Sequence, residues 1–137
     1  MTCGDRPVEI AAAKEWSRWE FATSTLRIPA STVVDEDELF ALQFGRIESH
    51  YFAHGAFWEV DDQLLRDVGK LAGIPCAIAQ GRYDSVCPMK SAYDLVQAWP
   101  ASSKPTLVVG SMAGHSPFEP ELLDALLGFC DSFKKFF

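Results

Sequence analysis

Two short loops of this sequence carry the residue types of acid–base chemistry. One is "GRYDSVCP", with Asp84; the other is "GHSPFEP", with His115. A histidine can take a proton from a nucleophile and return it to a leaving group. A carboxylate beside it can hold the ring in one tautomer and stabilise the cation that forms. Read alone, Asp84 is also an ordinary turn residue, and His115 a loop histidine ahead of a helix. The elements that flank the two loops decide between these readings.

"IPCAIAQ" precedes the first loop, a short apolar run bounded by Gly and Pro. It predicts a strand buried on both faces, as in a parallel sheet. A helix is expected over Met89 to Trp99, then a second buried strand in "PTLVVGS" and a terminal helix in "EPELLDALLGFCDSFKKFF". In that helix Leu122, Leu126, Phe129 and Phe133 share one face. Strand, helix, strand, helix is an α/β pattern, and ligands of open α/β sheets bind beyond the carboxyl ends of the strands. Asp84 and His115 each fall a few residues past such an end. Residues 1 to about 58 read instead as helical. Val8, Ala12, Trp16 and Trp19 are expected to form one apolar face. After a break at "RIPAST", a second helix begins in the acidic "VDEDEL" and carries Phe40, Phe44, Ile47 and Tyr51 on one face. "DDQLLRDVGKLAG" reads as a short helix closed by Gly73.

The chain has 137 residues, within the range of one domain, and 48% of them are hydrophobic, which excludes a disordered composition. Nineteen acidic against 12 basic residues give a net charge of −7, which argues against a nucleic-acid partner. Cys3, Cys76, Cys87 and Cys130 form no C-x-x-C and no zinc spacing. His50 and His54 stand at i, i+4 but lack both H-E-x-x-H and an obvious third ligand, so no metal is expected. "MTCGDRPVEI" has no apolar signal core, and "FKKFF" is too short for a membrane helix. The expectation is a reduced, cytoplasmic protein with no membrane or nucleic-acid partner.

A hydrolase built on this sheet pattern places its nucleophile first, then the acid, then the histidine, with the serine in a G-x-S-x-G elbow. No such pentapeptide occurs here. "GSMAG" at 110–114 has its serine one place too early and lies directly before His115. Four segments, in order, carry a resemblance: "WSRWE", "ALQFGRIESHYF", "QLLRDVGKLAGIPCAIAQGRYDSVCPMKSAYDLVQAWP" and "GHSPFEPELLDAL". Together they resemble the proline iminopeptidases (prolyl aminopeptidases) of the α/β-hydrolase superfamily, from about residue 7 to 130. The family's H-G-G-P-G and G-x-S-x-G segments are absent.

The resemblance implies the second half of such an enzyme: residues 1–58 a portion of the helical cap, residues 59–137 the C-terminal portion of the α/β-hydrolase core. It implies Asp84 as triad acid and His115 as triad base. It implies Glu20 and Glu48 as ligands of the substrate's free amino end, and Cys87 as a residue lining the pocket for the proline ring. The substrate would be a peptide with an N-terminal proline, and no cofactor is implied. The missing N-terminal half is a candidate partner. The chain alone would then be inactive. Without the resemblance, Glu20 and Glu48 read as solvated helix charges. The alternative function is a non-catalytic binding or interaction module, or a truncated gene product.

Overall fold

The computed structural model describes residues 1–27 and 37–136. The described chain divides into two compact units: Met1–Ala22 with Ile28–Asp61, and Thr23–Arg27 with Asp62–Phe137.

The first unit holds two long helices, α1 (Arg6–Ser24, its last two residues counted with the second unit) and α2 (Glu38–Ala53). Three consecutive alanines, Ala11 to Ala13, favour α1 by propensity. Asp37 caps α2 by accepting a hydrogen bond from the backbone of Leu39 at 2.8 Å. The helices meet through small residues. Ala13 and Ala41 are fully buried with Leu42, and Met1 packs against this cluster. A side chain at Gly45 would collide with the Met1 thioether. An ion pair closes the same interface: Arg46 Nη2 lies 2.6 Å from the buried Glu9, which also accepts from Gly4 N at 3.0 Å. Those two contacts, the backbone donor first, hold the Glu9 carboxyl below its ordinary pKa.

The faces of these helices differ from the pattern expected. α1 buries Glu9, Ala13, Ser17 and Glu20, while Val8 and Trp19 are exposed. α2 buries Ala41, Leu42 and Gly45, while Phe40, Ile47 and Tyr51 are exposed. Close helix approach selects small residues at the seam, and the bulky residues are displaced to its flanks. The expected break at "RIPAST", beyond Arg27, and the acidic lead-in as far as Glu36 lie outside the described residues.

The second unit opens with α3 (Gln63–Asp67) and a 3₁₀ turn, Val68–Leu71, and Gly73 stops it at φ +84°. β1 (Ala77–Gly81), α4 (Met89–Ala98), β2 (Thr106–Gly110) and α5 (Pro120–Phe133) follow. The strands pair in parallel, from Ala77 opposite Thr106 to Gly81 opposite Gly110. A parallel pair requires a crossover, and α4 supplies it. α5 packs on both strands and α4 on β1. α5 turns Leu122, the most buried, with Leu126, Phe129 and Phe133 inward as expected. Val68, Ala92, Trp99 and Ala113 are the other buried hydrophobic residues described in this unit. The strands are not buried on both faces: β1 is half-buried and most of β2 is exposed. Among the described residues the sheet has two strands, too few for a two-sided cover. This is a mixed helix–strand chain with a small parallel sheet, compatible with part of an α/β fold.

Candidate active site

Both strands end in glycine at the same level, and the two loops leave from there. A Cβ at Gly81 would fall on the carbonyl oxygens of Gly114 and Ala113, so only glycine lets the second loop's backbone cross the end of β1. Two backbone bonds then lace the loops together, Arg82 N to Gly110 O at 2.9 Å and Tyr83 N to Ala113 O at 3.0 Å. This crossing brings together residues 31 positions apart. Asp84 Oδ2 lies 3.1 Å from His115 Nδ1.

The Asp84 carboxylate is almost closed off, its side chain 6% exposed, whereas that of His115 is 37% exposed. A buried carboxylate must be well bonded. Oδ1 accepts from Val86 N at 3.0 Å and Cys87 N at 2.7 Å, a tight turn closed on its own side chain. Oδ2 accepts from Gln80 Nε2 at 3.1 Å and faces the histidine. An ionised carboxylate only accepts, so a neutral ring facing it presents its Nδ1–H and leaves the lone pair on Nε2. The arrangement is a buried acid that fixes the tautomer of a partly exposed base.

Cys87 joins this loop through its backbone, and its thiol is exposed. Desolvation, and then the charge of Asp84, raise the thiol pKa, so the group is a neutral thiol at pH 7. The other two candidates belong to the helical unit. Glu20 is buried on α1. Glu48, on α2, accepts a 2.7 Å hydrogen bond from Trp16 Nε1, and Trp16 in turn packs on Phe52 with ring centroids 6.0 Å apart. Neither is a freely solvated helix charge.

No protein-family model matches the chain. Curated relatives do. It is 52% identical over 134 residues to a proline iminopeptidase of Xanthomonas citri, a match that covers 97% of this chain and 42% of the relative. It is 44% identical over 121 residues to a proline iminopeptidase of Arabidopsis thaliana (88% and 31%). With that of Neisseria gonorrhoeae it shares 39% over 123 residues (90% and 37%). Over this stretch the chain is homologous to the proline iminopeptidases. It spans about 42% of the length of the Xanthomonas relative.

Three residues around the pair escaped the sequence reading. Gln80, the penultimate residue of β1, bridges Asp84 Oδ2 and the Cys87 carbonyl, the latter at 2.9 Å. Its signal was a polar residue at the end of an apolar strand, four places before the acid. Ser24 accepts through its carbonyl from His115 N at 2.8 Å and Ser116 N at 2.7 Å. Glu119 binds the same loop. Backbone acceptors such as Ser24 leave no trace in sequence. Among the described residues no group of three or more His, Cys, Asp or Glu could hold a metal, and no helix is long and apolar enough to cross a membrane.

Proposed function

We propose that this chain supplies the acid–base pair of a serine-type proline iminopeptidase, with residues 1–58 as part of the cap and 59–137 as the closing part of an α/β-hydrolase core. The observation that carries the reading is the 3.1 Å contact between buried Asp84 and His115 at the carboxyl ends of two parallel strands. His115 Nε2 takes the proton of a serine hydroxyl as that serine attacks the carbonyl of an N-terminal proline. It then returns the proton to the leaving amine, while Asp84 stabilises the imidazolium. The serine and the oxyanion donors come from sequence outside these 137 residues, the partner half, so the chain alone has no turnover. The enzyme acts in the cytoplasm on peptides, with no cofactor.

Glu20 and Glu48 receive the free amino end of the substrate. Support comes from their setting: Glu20 is buried, and Glu48 is held by an indole N–H beside an aromatic ring. Carboxylates fixed in such surroundings make strong charge-assisted bonds to an ammonium. Cys87, a neutral thiol beside the Asp84 turn, suits the wall of a pocket for an apolar ring.

The test joins to this chain the part of the Xanthomonas citri relative that it does not cover, and assays a proline arylamide. The joined enzyme should hydrolyse it, and the 137-residue chain should not. Asp84→Asn should lower kcat by on the order of 10⁴. Glu48→Gln should lower kcat/KM for the free-amine substrate about a hundredfold relative to an N-acylated one, the cost of a lost desolvated charge pair. A folded joined protein with no turnover would favour a non-catalytic binding module instead, and turnover indifferent to Asp84→Asn would remove Asp84 from the chemistry.

A further inference from the structure

Glu119 occupies the N-cap position of α5, yet its side chain makes no capping bond to that helix. Glutamate is not among the preferred N-cap residues, and here its carboxylate turns away to serve two other segments. Oε1 accepts from Leu26 N at 2.6 Å, 93 positions earlier in the chain, and Oε2 accepts from Gly114 N, the residue before His115. The segment it captures does the reciprocal work: the Ser24 carbonyl takes the N–H groups of His115 and Ser116. Gly114 sits close between them: a Cβ there would stand 3.0 Å from Leu26 N and 3.3 Å from Ser24 O, a tight fit against both. The histidine loop and residues 24–26 therefore form one hydrogen-bonded layer, with a single carboxylate clamping both sides.

We infer that Glu119 is a positioning residue for His115: by bridging Leu26 and Gly114 it locks the loop in the register that sets Nδ1 against Asp84. Removing the carboxylate strands two backbone donors in a part-buried site, and an unmatched buried donor is costly enough to move a loop. The neighbouring Glu121 is the built-in comparison. It stands in the first turn of the same helix and also bonds the loop, but at Ser111, through both the backbone N–H and the hydroxyl. Helix-dipole and net-charge effects are shared by the two glutamates. Only Glu119 holds the residue adjacent to the histidine. The inference rests on the acid–base reading of Asp84 and His115.

The experiment uses the whole chain. Imidazole ¹⁵N spectra give the tautomer of His115, with His50 and His54 as internal references, and amide exchange is followed at Leu26, Gly114, His115 and Ser116. In the wild type His115 should be a single Nδ1–H tautomer. In Glu119→Ala that tautomer should become a mixture. Exchange at Leu26 and Gly114 should rise about tenfold or more, as for loss of a hydrogen bond to a charged group. Glu119→Gln, which keeps one acceptor oxygen, should fall between and also guards against a fold lost in the alanine variant. Glu121→Gln should leave the His115 tautomer unchanged. Three results overturn the inference. A fixed tautomer retained in both folded Glu119 variants does so, as does an equal loss in Glu121→Gln. A wild-type His115 without a fixed tautomer instead overturns the underlying acid–base reading, and this inference with it.

Discussion

The two units of this chain use glycine, alanine and carboxylates for opposite ends. In the helical unit, small residues bring two helices together, and large aromatic side chains are left outside the seam. In the sheet unit, small residues bring two loop backbones together, and large side chains fill the core beneath. Helical periodicity therefore located the buried face of α5 and missed those of α1 and α2. An apolar moment marks the buried face only where burial is achieved by bulky side chains. At a close helix–helix contact the limiting quantity is backbone separation, and the seam reads as Ala, Ser and Gly, with Glu9 admitted because Arg46 and Gly4 satisfy it.

Single substitutions can break this contrast. The largest effect should come from deleting bulk where bulk is buried. Leu122→Ala, at a side chain 3% exposed, is expected to cost about 2–5 kcal/mol in a urea unfolding titration. Val8→Ala removes an apolar side chain from α1 at 55% exposure and should stay within about 0.5 kcal/mol. Comparable losses at both positions would show that the exposed flank of α1 is covered in solution.

Glycines sharpen the second half of the comparison. Gly81→Ala places a Cβ against the Gly114 and Ala113 carbonyls and should cost about 1–3 kcal/mol or more, with loss of the fixed His115 tautomer. Gly128→Ala, on α5 with no atom within 4 Å of the new Cβ, should instead stabilise by about 0.4–1 kcal/mol. Thermal melts of the two variants suffice. If Gly81→Ala is tolerated with the tautomer intact, the loops do not cross as closely as described.

The smallest expected effect is a change in shape of the pH–stability curve. The folded-state pKa of Glu9 is lowered, so its carboxylate stabilises the folded chain at neutral pH, above the unfolded pKa. That contribution is lost as pH falls through the folded value, which lies below the ordinary glutamate range. Glu9→Gln should be less stable than wild type at pH 7 and should show a shallower loss on acidification. Parallel curves for the two proteins between pH 6 and 3 would remove Glu9 from the stability of the helical seam.

Element types and order could be read from the chain before any coordinates, because propensity and punctuation are local: the alanine run of α1, Gly73 closing the 3₁₀ turn, Pro and Gly bounding each strand. The candidacy of Asp84 and His115 was equally legible, since each sits just past an apolar run in a Gly-containing loop. Their pairing depends on tertiary structure. It needs Gly81 to let one backbone cross another, Gln80 and two amides to satisfy the buried acid, and Ser24 and Glu119 to hold the histidine loop from the far side of the sequence. Backbone carbonyls and amides carry no residue identity, and contacts separated by tens of residues leave no period. For that reason the sequence by itself determined which residues could do chemistry, and only the folded arrangement decided which of them meet.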